Sequence, residues 1–197
     1  MSHLTSVQRI HVLDVIKQRR SVGLMTQEQP TRDQIEQLLE AATYAPNHHV
    51  TEPWHFFVLT GAAREELGKV MSTALQTHLG ETNSEKAQMQ LLKEQNKPLR
   101  APVIITVIVT HMDQQTDFLE RIEAACAAVQ NMLLTAQEMG LATIWRTGDA
   151  AYDPQVKRWF GLTPDDHIVA FVYVGFPSFP RPARTPTHFS AKTTWLS

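Results

Sequence analysis

The sequence predicts an α+β protein with several strands in one sheet, a buried central helix, helices on both sides and an extended C-terminal tail. Three observations carry this. Residues 103–109 and 168–174 are short runs dense in β-branched and other apolar residues and bounded by turn material, as in strands covered on both faces. Residues 117–139 are alanine-rich and apolar on most faces, which suits a helix at the centre of a fold. The chain of 197 residues is 43% hydrophobic and 19% charged, enough for a sizeable core and too apolar for a disordered polymer. No linker divides it, so residues 1–197 are expected to form a single domain.

The elements follow in order. Residues 8–20 read as a helix, with Ile10, Val12, Leu13 and Ile16 at helical spacing, ending in Arg19-Arg20-Ser21. A second helix follows Pro30. Thr31 and Gln34 form a capping box, Ile35, Leu38, Leu39 and Ala42 an apolar face, and Pro46 disfavours helical geometry at Ala45. Residues 54–59 are a strand introduced by Pro53, and 62–79 are helical. The most polar stretch, 80–97, contains a short helix at 85–94 stopped before Pro98 and reads as a surface excursion or lid. After the 117–139 helix, Gly140 suits a left-handed cap. A short strand at 141–146, a turn and a helix at 153–160 lead to the last strand. From residue 176 the chain has Pro177, Pro180, Pro182 and Pro186 and little helical period. Its Phe179, Phe189, Trp195 and Leu196 need a surface to pack on.

Composition excludes several classes. Lysine plus arginine number 18 against 20 acids, a formal charge of −2, without the basic excess of a general nucleic-acid binder. A single cysteine, Cys126, permits neither an intrachain disulfide nor a cysteine-built zinc site; it fits a reducing cytoplasm and lies where it packs. No apolar run approaches the ~18–20 residues of a membrane span, and the first residues lack an export-signal pattern, so a cytoplasmic protein is expected. Gly-x-Gly-x-x-Gly, P-loop and Gly-x-Ser-x-Gly motifs are absent.

Four constellations remain, each with two readings. Arg19-Arg20-Ser21 offers fork and hydroxyl donors to a phosphate, or complements a helix end. His48, His49, Glu52 and His55 lie in a polar loop entering a strand; Pro53 prevents one regular helix from presenting them to a metal, and none is expected. Trp145-Arg146-Thr147-Gly148 ends a strand with an aromatic, a cation and backbone donors for a planar ligand, or is an edge with Trp145 in the core and Arg146 solvated. Arg181 and Arg184 close over an anion or ride on a solvated tail.

Taken in order, these segments resemble the nitroreductase family of FMN flavoproteins. They are Arg19-Arg20-Ser21, the helix ending 41–48 (Ala-Ala-Thr-Tyr-Ala-Pro-Asn-His), Glu52-Pro53-Trp54-His55-Phe56-Phe57-Val58, the alanine-rich helix, Gly140-Leu141, Trp145-Arg146-Thr147-Gly148 and residues 171–177. The short chain and the Trp-Arg-Thr-Gly turn resemble the compact bacterial branch. The resemblance implies a central, mostly antiparallel sheet flanked by helices in a domain-swapped homodimer, with residues 178–197 packing on the partner and two noncovalent FMN sites at the interface. Arg19, Arg20 and Ser21 would hold the FMN phosphate and ribityl region. Tyr44 and His48 would reach the flavin from the other subunit, Trp145, Arg146 and Thr147 would line it, and Arg184 would be a basic ligand from the tail. Thr135, Ala136, Gln137, Glu138, Met139 and Gly140 would face NADH or NADPH. The implied activity is reduction of nitroaromatics, quinones or similar flat oxidants by ping-pong hydride transfer through flavin N5, with no protein residue as nucleophile or acid. Many relatives carry a basic residue two positions after the serine. Here Gly23 stands there, so positive charge at the flavin pyrimidine edge must come from elsewhere, Arg146 or a backbone dipole. Oxygen-dependent ring cleavage or dehalogenation on the same fold, and a non-enzymatic flavin-binding module, are the alternatives.

Overall fold

A computed structural model describes residues 11–80, 82–111, 117–180 and 183–196. Four strands, β1 (Trp54–Leu59), β2 (Val103–Val109), β3 (Ala142–Arg146) and β4 (His167–Gly175), form one sheet in the order β1-β2-β4-β3, every neighbouring pair antiparallel. All seven residues of β2 are buried, as expected for an apolar run at the sheet centre.

The pleat sends alternate residues of β2 to two cores. Val103, Ile105, Val107 and Val109 pack with helices α2 (Arg32–Thr43) and α5 (Phe118–Glu138). Ile104 and Ile108 face α3 (Ala62–His78) and α7 (Pro154–Trp159) on the other side. A register shift falls between Val107 and Ile108 where β2 meets β4. The sheet is thus covered on both faces, which leaves functional groups its ends and the outer edge of β3.

Helix α2 starts with the capping box, Gln34 N donating to Thr31 Oγ1 and Thr31 N to Gln34 Oε1. Ile35, Leu38 and Ala42 are its buried face. Helix α5 turns Ala124, Ala125, Ala128, Val129, Met132, Leu133 and Ala136 inward; small residues let it lie close to the strands. It ends at Gly140, φ +73°, where Gly140 N donates to Gln137 O and Leu141 N to Ala136 O at 2.8 Å. That pairing satisfies two terminal carbonyls and needs a left-handed residue. The polar excursion holds α4 (Glu85–Gln95), capped by Ser84, and a 3-10 turn, Lys97–Arg100.

Three expectations need correction. The first helix, α1 (Val12–Gln18), buries none of its residues: Val12 is 70%, Leu13 57% and Ile16 47% exposed within this chain, and Ile10 lies outside the described residues. It also stops before Arg19, whose ψ of 133° is extended. The turn before the 153–160 helix is itself helical, α6 (Asp149–Tyr152), because Asp153 then caps α7 through Gln155 N and Val156 N and breaks the run in two. Finally, the sheet edge beyond β3 is occupied. Ser21 bridges Thr143 in parallel sense, Val22 N donates to Thr143 O at 2.9 Å and Thr26 N to Phe176 O at 2.9 Å, and Ser178 N donates to Leu24 O. No strand signal announces this segment, since Gly23 interrupts it.

Candidate functional site

The edge segment carries the first cluster. With Arg19 extended and Ser21 pinned beside Thr143, Arg19 and Arg20 leave the sheet edge where the tail returns with Arg184. Arg20, Arg184, Lys17, Gln137, Gly140 and Phe179 border a cavity of about 780 Å³. The Arg19 guanidinium is held below its usual range, by burial first and then by the charges of Arg20 and Arg184. Arg19 and Arg184 form no ion pair with a carboxylate among the described residues. Arg20 Nη1 is braced by the Lys17 and Arg19 carbonyls at 2.6 and 2.7 Å. Like charges gathered together lower their energy by taking up an anion, and a phosphate matches guanidinium forks. Ser21 is exposed at the same place.

Two residues further, about 7 Å along the edge, Gly23 meets Arg146. A Cβ at Gly23 would lie 3.5 Å from Arg146 Nη2. Arg146 ends β3 on the α3 face; its guanidinium carbon lies 5.8 Å from the Tyr173 ring centroid, and its buried Nε has no hydrogen-bond partner in the described structure. Burial pushes the Tyr173 hydroxyl up to about 12, against the opposing pull of Arg146. A cavity of about 290 Å³ adjoins, lined by Trp145, Arg146, Thr147 and Gly148 together with Met71, Glu94 and Lys97. Trp145 points to the α5 face, its Nε1 donating to Val169 O at 3.0 Å. Of the edge reading, Trp145 does pack against the core, but Arg146 is half-buried with an unmet donor rather than solvated.

Tyr44 and His48 stand elsewhere. Tyr44 caps α2 and is exposed. His48 Nδ1 lies 2.8 Å from Glu120 Oε2 and its ring stacks on His49 at 4.0 Å. Its loop holds His49, Val50 and Glu52 at positive φ, an uncommon conformation for non-glycine residues, braced by Glu52 N donating to Asn47 Oδ1. This loop borders a shallow cavity with Glu120, Glu123 and Ala127, near the start of α5, whereas the arginine cluster borders Gln137 and Gly140 at its end. From Glu123 to Gln137 the helix rises about 21 Å. One chain does not bring the two groups together.

Of the 135–140 stretch, Gln137 and Gly140 line the arginine cavity, Thr135 and Met139 are half-buried, Glu138 is exposed, and Ala136 is fully buried against the sheet. Arg181 lies outside the described residues. Cys126 is half-buried, its thiol pushed up by burial and by Glu123, a poor setting for a nucleophile. Lys17 and Tyr173 carry no signal in the sequence: Lys17 belongs to no motif, and Tyr173 looks like one more residue of an apolar strand.

Fold and site together define an α+β protein with arginines gathered at one sheet edge. A model of the nitroreductase family matches residues 16–176, and the chain belongs to that family, whose members are oxidoreductases. It is 34% identical over 166 residues to "Putative NAD(P)H nitroreductase YdjA" of Escherichia coli K12, covering 84% of this chain and 87% of that one. A nitroreductase-like protein from Bacillus cereus superposes with TM-score 0.84 at 27% identity, over 98% of this chain and 99% of the other. A nitroreductase from Bacteroides fragilis, solved with bound FMN, superposes with TM-score 0.71 at 23% identity over 96% and 100%. No helix among the described residues is long and apolar enough to cross a membrane.

Proposed function

We propose that the protein is an FMN-dependent NAD(P)H oxidoreductase that reduces nitroaromatics, quinones or similar flat electrophiles, working as a homodimer. One observation carries the reading: arginines at 19 and 184, without a carboxylate partner among the described residues, gather at the sheet edge along which Gly23, two residues past Ser21, meets Arg146 and its unmet Nε donor. Phosphate at one end and a polar ring edge at the other is the donor pattern that FMN asks for. FMN, when bound, supplies the redox chemistry, a two-electron exchange with NAD(P)H and then with the oxidant.

The residues around it bind and orient. Arg19, Arg20, Ser21 and Arg184 hold the phosphate by charge-assisted bonds. Arg146, whose Nη2 lies within van der Waals reach of position 23, offers its guanidinium to the pyrimidine edge, where negative charge grows on reduction. Trp145 and Thr147 complete the wall. Of the 135–140 stretch, Gln137 and Gly140, which border the same cavity, are our candidates for contact with NAD(P)H. Tyr44 and His48, separated from this cluster by the length of α5, serve the partner's site in a two-fold dimer. The tail beyond residue 177 lies across the partner, because Trp195 and Leu196 are 85% and 94% exposed in the isolated chain. On this reading residues 1–197 form one domain whose tail is completed by a second copy.

The decisive experiment is the absorbance spectrum of the purified protein followed by anaerobic titration with NADPH and NADH. A yellow protein bleached by either nucleotide and recoloured by a nitroarene is expected. Failure to take up FMN refutes the reading. With one flavin face shared by donor and oxidant, initial-rate plots should be parallel; intersecting lines with a ternary complex refute that scheme.

A further inference from the structure

Beyond Arg146 the cleft continues. A second cavity, of about 370 Å³, opens between α3, the Lys97–Arg100 turn and the α6–α7 corner; it shares Met71, Glu94, Lys97, Asp149 and Ala150 with the cavity at Arg146. Its volume lies in the range of small-molecule sites, about 300–1,000 Å³. Its α3 wall is Met71, Ala74 and Leu75 with His78, held by Asp153, at the end, and the exposed ring of Tyr152 stands at its margin.

The charges around it are unequal. Lys97 is paired with Glu94. Burial alone would raise the Asp153 carboxyl, but hydrogen bonds from His78 and the Gln155 and Val156 amides outweigh it and keep this group ionised and fully engaged. Asp149 differs: its carboxylate makes no hydrogen bond or ion pair among the described residues. An unbalanced anion thus borders the apolar cavity, while the unmet guanidinium of Arg146 occupies the other end of the cleft.

We propose that this second cavity seats the flat body of the oxidant and selects aromatic molecules bearing a cationic or N–H-donating substituent over those bearing a carboxylate. The inference rests on the function proposed above. The ring system buries against Met71 and its α3 neighbours, and a cationic substituent gains from Asp149 and from the face of Tyr152. A carboxylate would instead be desolvated beside Asp149.

The test is equilibrium titration of the FMN-loaded protein with (naphthylmethyl)trimethylammonium and with naphthylacetate, followed by naphthyl fluorescence. The cation is expected to bind at least ~10-fold tighter. Asp149→Asn should remove the preference, Asp149→Glu should keep it, and Tyr152→Ala should weaken the cation alone. Equal binding of the two probes, a preference unchanged by Asp149→Asn, or displacement of the cation by added FMN overturns the inference. A protein that takes up no FMN refutes the function reading instead, and the same titration on it still decides the charge preference of the cavity.

Discussion

Gly68→Ala sets two physical effects against each other. In a solvent-exposed helix this change gains about 0.8–1.0 kcal/mol of helix propensity. Gly68, however, is buried in the middle of α3 where α4 packs across it. A Cβ built there lies 3.1 Å from the Gln95 carbonyl carbon and closer still to its oxygen. The obstacle is backbone, so no rotamer change relieves it and the helices must separate, straining the bond from Ser72 Oγ to Leu91 O at 3.1 Å. Overpacking of this kind costs about 1–3 kcal/mol, and the tightness of the contact puts it at the upper end. After the propensity gain, a net loss of about 1–2 kcal/mol is expected, a fall in Tm of roughly 2–4 °C per kcal/mol at this chain length. Urea denaturation of both proteins at equal protein and FMN concentration measures it as a lower midpoint with unchanged slope. A variant as stable as the parent, or more so, would refute the close approach of α4 to α3.

Other outcomes follow from the same geometry. Arg19→Ala and Arg20→Ala should each weaken FMN affinity at least ~10-fold, since a charge-assisted bond is worth about 1.5–3 kcal/mol; fluorescence titration of the apoprotein checks this, and unchanged affinity removes them from the phosphate site. Tyr173 is raised in the folded state to about 12, so its contribution is complete below the unfolded value near 10 and is lost as pH rises through 12. Between pH 9 and 11, which covers half of that window, the parent should lose about 1.3 kcal/mol that Tyr173→Phe does not lose, read from denaturation midpoints at the two pH values. A chain ending at Thr185 should sediment as a monomer with reduced flavin occupancy; a stable dimer of that length would free the tail from any role in assembly. Cys126→Ala should leave turnover nearly intact, and loss of activity with flavin bound would place a thiol in the chemistry.

The parts that could be read in advance are those whose signals are local. Bounds of 54–59 and 103–109 for two strands match residue for residue, because Pro53 and a β-branched run mark them. The Thr31–Gln34 box and the Gly140 cap are likewise where their chemistry puts them. What escaped depends on distant partners. The Ser21–Met25 edge is ordered by bonds to Thr143 and Phe176, more than a hundred residues away in the chain. The apolar stripe of α1 implies burial that a single chain does not supply. At the site, residue types at Arg19, Arg20 and Arg146 were visible, whereas the approach of Arg146 to position 23 depends on how β3 meets the Ser21–Met25 edge.

The pinning of that edge has a thermodynamic consequence. Amide bonds at Val22, Thr26 and Ser178 and the buried side chains of Val22 and Met25 attach the arm carrying Arg19 and Arg20 to the sheet, whereas α1 before it contributes no buried side chain. Mutual repulsion of the arginines pulls on the same attachment. The part of the arm that precedes Val22 is therefore weakly held, and an anion bridging Arg19, Arg20 and Arg184 works as a rivet between the two ends of the chain. Amide deuterium exchange at Val22 and Thr26 should slow with anion occupancy long before exchange in β2 responds. Filling of the site would then be readable as the firmness of a seam, without any catalytic measurement.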